Sequence, residues 1–235
     1  MQTAARARNR QVELGKIVRA DSQVRYICQI YGQGETATIP EPADYAFGSF
    51  VRVPLRVAPS ADAAGPAAAS PWTPGSWAVG MVYDTVLLDP DFGTLGPRLS
   101  HGDQVTLFSP DYVNERAVLI SILLLGTVYQ APSRAARVIH GVPEFSSDLG
   151  AVVHPLTDDE LRAFHRFADD RPPGGSQPYL HLGYLPHLIA QNHPLLPMAL
   201  LQTVERLERI FPENTSLLTI VKRNLAWRLK VQATQ

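Results

Sequence analysis

Ser76-Trp-Ala-Val-Gly-Met-Val-Tyr-Asp-Thr-Val-Leu-Leu-Asp89 is the stretch on which the fold turns. Trp77, Val79, Met81 and Tyr83 alternate with Ala78, Gly80, Val82 and Asp84. This period of two belongs to a strand with one large-residue face and one small-residue face. Gly80 in its middle marks either a close approach by another backbone or a bend that helps curve a sheet into a barrel. Similar apolar stretches flank it in the chain, so it reads as a central strand.

Upstream, Val12 to Val18 has the pattern of a strand whose face is broken by Gly15. Val24-Arg-Tyr-Ile-Cys-Gln-Ile-Tyr31 is a second, rich in β-branched and aromatic residues, and Gly32-Gln-Gly34 is a turn. Ala46-Phe-Gly-Ser-Phe-Val-Arg-Val53 is a third, and Pro54 confines it to an edge or a strand end. Next comes Ala58 to Pro71, with no aromatic and no apolar side chain larger than alanine. Such a segment cannot offset its ordering entropy by burial. The sequence predicts a disordered Ala/Pro-rich loop over 58–75, inside a domain because strand patterns continue on both sides.

Downstream, Asp89 to Pro97 is turn-rich and Gln104-Val-Thr-Leu-Phe108 is short and strand-like. Arg116 to Tyr129 is nearly continuous apolar. Ile120, Ile122 and Val128 favour a doubly buried strand there, and Gly126 with Pro110 and Pro132 argues against a helix. Short strands joined by turn-rich loops, with no helix between them, predict a small closed barrel or sandwich.

The pattern changes after Pro155. Thr157-Asp-Asp-Glu160 is a capping box, followed by Leu161, Phe164 and Phe167 at helical spacing for about three turns. Asp170 to Pro178 breaks that helix. A second helix begins near Pro197 with Leu200, Leu201, Val204, Leu207 and Ile210 on one face, an i,i+4 pair Glu205–Arg209, and a stop at Pro212. A third starts at Thr215 or Ser216 and buries Leu217, Leu218, Val221, Leu225 and Leu229. The expected class is α+β: an N-terminal small β-barrel over 12–153, then a helical region over 154–235.

Composition narrows the function classes. A formal charge of -1 over 235 residues exerts no overall pull toward nucleic acid or anionic lipid. Cations do gather at the ends: Arg6, Arg8 and Arg10 first, then Lys222, Arg223, Arg228 and Lys230 with no acid after Glu213. The single cysteine, Cys28, sits in an apolar run and reads as a small buried hydrophobe in a reducing compartment. No apolar leader opens the chain, and Ala117 to Val128 falls short of the roughly 20 residues that cross a bilayer. A cytoplasmic, soluble protein is expected.

Chemistry-bearing patterns are sparse. His181, His187 and His193 lie in one region, but their spacing suits neither a helical i,i+4 pair nor a short metal motif. Asp89 and Asp91 sit in a turn, and Asp158 and Asp159 complement a helix dipole. There is no G-x-S-x-G elbow. No enzyme, cofactor or metal site is expected. Arg25, Tyr26, Tyr31, Phe50, Arg52 and Arg56 offer stacking and basic groups for nucleic acid, although strand alternation turns about half of them inward. Trp227 among Arg223, Arg228 and Lys230 is a mix common at interfaces; the alternative is that Trp227 closes the protein's own core.

Three segments carry a resemblance. Leu14-Gly-Lys-Ile-Val18 is an opening strand with glycine second, Phe47-Gly-Ser-Phe-Val-Arg-Val53 a glycine-stepped strand, and Ala78-Val-Gly-Met-Val-Tyr83 with Leu87-Leu-Asp89 a strand and acidic turn. His154-Pro155 then leads into Asp158-Asp-Glu-Leu-Arg162 as a link from barrel to helix. Over about residues 12 to 168 this resembles the HAS barrel, the N-terminal domain of HerA-type DNA translocases. The motor is missing: no G-x-x-x-x-G-K-[ST] loop exists to hold phosphates. The resemblance implies assembly without ATP hydrolysis, with the barrel docking on copies of itself, on a HerA-type ATPase or on the associated nuclease.

Overall fold

The computed structural model describes residues 12–56, 76–88, 117–131, 134–167, 179–191 and 193–232. Arg6, Arg8 and Arg10, the expected loop over 58–75, the turn at 89–97, the strand at 104–108 and the break at 170–178 lie outside the described residues.

Seven strands form the main sheet: β1 (Gly15–Ala20), β2 (Arg25–Ile30), β3 (Phe50–Pro54), β4 (Trp77–Leu88), β5 (Ala117–Ala131), β6 (Arg134–His140) and β7 (Val152–Pro155). Their order is β2-β1-β7-β3-β4-β5-β6, and β2 also pairs with β5. That last pairing closes six antiparallel strands into a barrel and leaves β6 appended to β5. Closure satisfies the backbone groups that an open sheet edge would expose. β5 makes it possible by its length. One side follows β4 from Leu88↔Ala117 to Trp77↔Val128. The other side is taken first by β2, at Leu119 to Leu123, and then by β6 from Gly126 onward. At that changeover a Cβ on Gly126 would collide with the carbonyl oxygen of Ile139, so the second strand pairs here because glycine leaves room.

β4 is central, between β3 and β5. Its two-face pattern holds differently than alternation predicts. Trp77 to Tyr83 are buried on both faces, and exposure begins only beyond Asp84. The large residues and the small ones are both interior because one face lines the barrel and the other is covered. Gly80 sits at a bulge between Val79 and Gly80, and a Cβ there would meet Ile122, Val51 Cγ2 (3.3 Å) and Leu124 Cδ2 (3.4 Å). Side chains, not a backbone, require glycine at this point, and the bulge supplies the bend.

Strand limits differ from expectation in places: the first strand runs Gly15–Ala20 rather than Val12 to Val18. The third strand starts at Phe50, not Ala46, because Ser49 N–H bonds Ala46 O (2.9 Å) in a turn with Gly48 at φ +79°. The barrel runs past the expected end at 153 to Pro155, since β7 pairs Val153 with Gly15 and His154 with Arg52. β6 and β7 were not visible in the sequence. β7 has four residues, too few for a period of two to register.

The C-terminal region holds α1 (Asp158–His165), α2 (Leu185–Ala190), α3 (Leu196–Ile210), a 3-10 turn (Pro212–Asn214) and α4 (Thr215–Gln232), plus the short pair β8 (Arg166–Phe167) and β9 (Tyr179–Leu180). The capping box forms as read. Thr157 Oγ1 accepts from Glu160 N–H (3.2 Å), and Glu160 Oε2 accepts from Thr157 N–H (2.9 Å). α1 stops at His165, short of three turns, because Arg166 and Phe167 become extended to pair with Leu180 and Tyr179. Pro186, which interrupts the sequence pattern, falls in the first turn of α2, where proline is tolerated.

α3 fastens the helices to the barrel. A Cβ on Gly48 would lie 2.7 Å from Gln202 Cβ, so the helix seats directly on this turn. The Thr203 hydroxyl sits 3.2 Å from Gly48 O and 3.0 Å from Met81 Sδ. Leu200, Val204, Leu207 and Ile210 join the barrel residues in one continuous core. Glu205 pairs with Lys222 of α4 (3.0 Å) rather than with Arg209, because the packed neighbour helix brings the lysine closer than the helical i,i+4 position does. On α4, Leu218 and Leu225 are buried and Val221 partly so, but Leu217 is exposed. Apolar residues lie on two stripes of this helix, and only one of them can face α3. The side chain of Leu229 lies outside the described residues.

Candidate functional site

The expected surface residues fall in separate places. Arg25 is exposed on β2 and Tyr31 half-buried just after it. Arg52 lies on β3, and Arg56 is exposed beyond its end. β2 and β3 stand on opposite sides of the six-strand ring, separated by two strands in either direction. The barrel therefore does not gather these four into one patch. Tyr26 and Phe50 are buried core. Arg52 Nη1 bonds Glu160 Oε1 (2.9 Å), and its guanidinium carbon lies 5.9 Å from the Trp77 ring centre. Arg56 Nη1 faces Asp148 Oδ1 at 3.5 Å. Arg223 and Trp227 are exposed on α4. Arg228 and Lys230 belong to the same helix, with side chains outside the described residues.

The histidines regroup in a way that spacing does not suggest. His187 Nε2–H donates to Leu124 O (3.2 Å), and His193 packs on Tyr83 with ring centres 4.9 Å apart. His181 leaves those two and stacks on His140, centres 4.2 Å apart and planes 16° apart. His165 stands 6.1 Å from His140, and Phe164 and Tyr184 complete the cluster. Its members come from β6, from α1, and from the segment between β9 and α2.

Hydrogen bonds fix the protons here. Leu161 O can only accept, so His165 carries its proton on Nδ1 (2.9 Å). Its Nε2 lone pair then accepts from the Tyr184 hydroxyl (2.9 Å). Burial holds His165 neutral, its pKa lowered from 6.5 to about 3, and pushes the Tyr184 phenol up. His140 donates through Nε2 to Phe164 O (2.9 Å), and burial lowers its pKa to about 4. His140 Nδ1 is buried without a hydrogen-bond partner among the described residues. Stacked rings aim their in-plane lone pairs past one another, and no group of three metal-capable side chains converges among the described residues. The cluster is an aromatic tie between the sheet and the helices, in which burial favours the neutral rings of His140 and His165. Cys28 is buried, with its thiol pushed up to about 12 by desolvation, which suppresses the nucleophilic thiolate.

The other unusual feature is on α4. Leu217, Ile220 and Trp227 are 42%, 49% and 66% exposed, and exposed Asn224 sits between the last two. Positions 217, 220, 224 and 227 repeat at three, four and three residues, which aligns them along one stripe. The stripe lies beside the buried Leu218 and Leu225 on the same helix and is itself exposed. Trp227 therefore does not close the core. Trp227 stands out in the sequence by its basic neighbours; Leu217 is exposed rather than buried as expected, and Ile220 joins the row at the three-residue spacing from Leu217.

A closed barrel tied to a short helical array, with one helix apolar on two stripes, defines the class of protein. The chain belongs to the family described as Domain of unknown function (DUF8166), whose model matches residues 1–234. No curated protein matches it. Among the described residues, no helix is long and apolar enough to cross a membrane.

Proposed function

We propose that this protein is a non-catalytic assembly or adaptor module that docks on a protein partner through the outer stripe of α4. The observation that carries the reading is the aligned exposure of Leu217, Ile220 and Trp227 on a helix already anchored by its other stripe. Exposed apolar side chains in a contiguous row mark interaction sites more often than scattered single ones do. Aromatic anchors beside arginine are the usual energetic centres of such contacts. His165 serves packing, since both its nitrogens are occupied and its proton is fixed. A nucleic-acid face on the barrel is less well supported, because Arg52 and Arg56 spend charge on Glu160 and Asp148. A cytoplasmic setting fits the lone buried Cys28.

The resemblance to the HAS barrel makes a HerA-type ATPase, or the nuclease that accompanies it, the first partner to try. Light scattering on the full chain, alone and mixed with each, tests the role. A mixed complex of defined mass that Ile220→Asp abolishes is expected. A chain that keeps its own mass in both mixtures sinks the inferred role in such an assembly.

A further inference from the structure

Resting on the docking role of α4, we infer that the occupant of its outer stripe is an acidic amphipathic segment of a different protein, not a second copy of this chain. The reason is charge. α4 contains Lys222, Arg223, Arg228 and Lys230 and no aspartate or glutamate. Lys222 is answered within the molecule, by Glu205 at 3.0 Å and Glu208 at 3.5 Å. No acid of α4 itself answers Arg223, which is exposed one turn after Ile220 and one turn before Trp227. Two copies paired through this stripe would set one wholly basic helix against another, and juxtaposed like charges oppose association. A segment with apolar residues at three- and four-residue spacing and glutamate or aspartate on its flanks meets both demands. Its apolar row covers Leu217, Ile220 and Trp227, and its carboxylates accept from Arg223. Asn224, polar within the row, favours a partner with a polar group opposite it, which fixes register.

The test uses the full chain to select from a displayed library of helical 18-residue peptides. Their apolar row is fixed and their flanking positions vary among Glu, Lys, Gln and Ser. Enrichment of net-acidic peptides is expected, lost on Ile220→Asp and weakened at high salt. Neutral or basic peptides enriched in an Ile220-dependent manner would overturn the charge assignment while leaving the docking role standing. Acidic peptides bound equally by Ile220→Asp, or no enrichment at all, would overturn both. A wild-type dimer by light scattering that Ile220→Asp dissolves would install the second copy instead. Duplex DNA run in parallel, bound by wild type and released by Arg223→Glu, would replace the peptide with a nucleic acid.

Discussion

Acidification from about pH 8 to about pH 5 should weaken this protein well before ordinary carboxylates are neutralised, and the histidine cluster is the reason. Burial lowers His165 from 6.5 to about 3 in the folded state. The unfolded chain therefore binds the proton first. The stability that the neutral ring confers is complete above 6.5 and falls as the pH drops toward about 3. At about pH 5 the loss from this one residue is roughly 2 kcal/mol, at about 1.4 kcal/mol per pH unit below the ordinary value. His140, lowered to about 4, acts in the same direction. A domain holds only about 5–15 kcal/mol in total. Urea unfolding at a series of pH values measures the effect through the midpoint. The double variant His140→Gln, His165→Gln should be less stable at about pH 8 yet lose less on acidification. Wild-type midpoints that stay flat down to about pH 5, or an equal loss in the double variant, would refute the reasoning.

Three further outcomes rest on other parts of the molecule. Glu160→Ala removes the carboxylate half of the capping box, which accepts from Thr157 N–H and Oγ1, and the partner of Arg52, while the backbone N–H of residue 160 still donates to Thr157; chemical denaturation should show a loss of about 1 kcal/mol. Gly48→Ala forces an alanine to φ +79° with its Cβ 2.7 Å from Gln202 Cβ. It should cost at least about 1 kcal/mol, with a lower melting temperature and loosened α3 amides in hydrogen exchange. Cys28, buried with a raised thiol pKa, should resist a thiol reagent in the native protein and react at the rate of unfolding in urea.

What the sequence revealed depended on how long each pattern ran. β4 and β5 extend over 12 and 15 residues, long enough for alternation or continuous apolarity to show, and from them the barrel followed. β7 is short and ends in proline, and β6 begins with Arg-Ala-Ala-Arg; neither contains enough apolar residues to announce itself. Closure itself, through β2 and β5, is a pairing between distant segments that no local pattern encodes. The histidine cluster is hidden for the same reason, since His140, His165 and His181 are neighbours only once β6, α1 and the segment between β9 and α2 meet. On α4 the sequence supplied two apolar stripes with nothing to say which faces inward. Packing against α3 buries Leu218 and Leu225 and leaves Leu217 exposed.

The most direct measurement of the docking role is site-specific photocrosslinking of the full chain in the cells that express it. A photoreactive residue at position 220 is compared with one at exposed Glu41. A single adduct of defined mass from position 220, absent from position 41 and lost when Trp227→Ala is added, is the predicted result. No discrete adduct at position 220, or the same products from both positions, would contradict the claim that this face binds a partner.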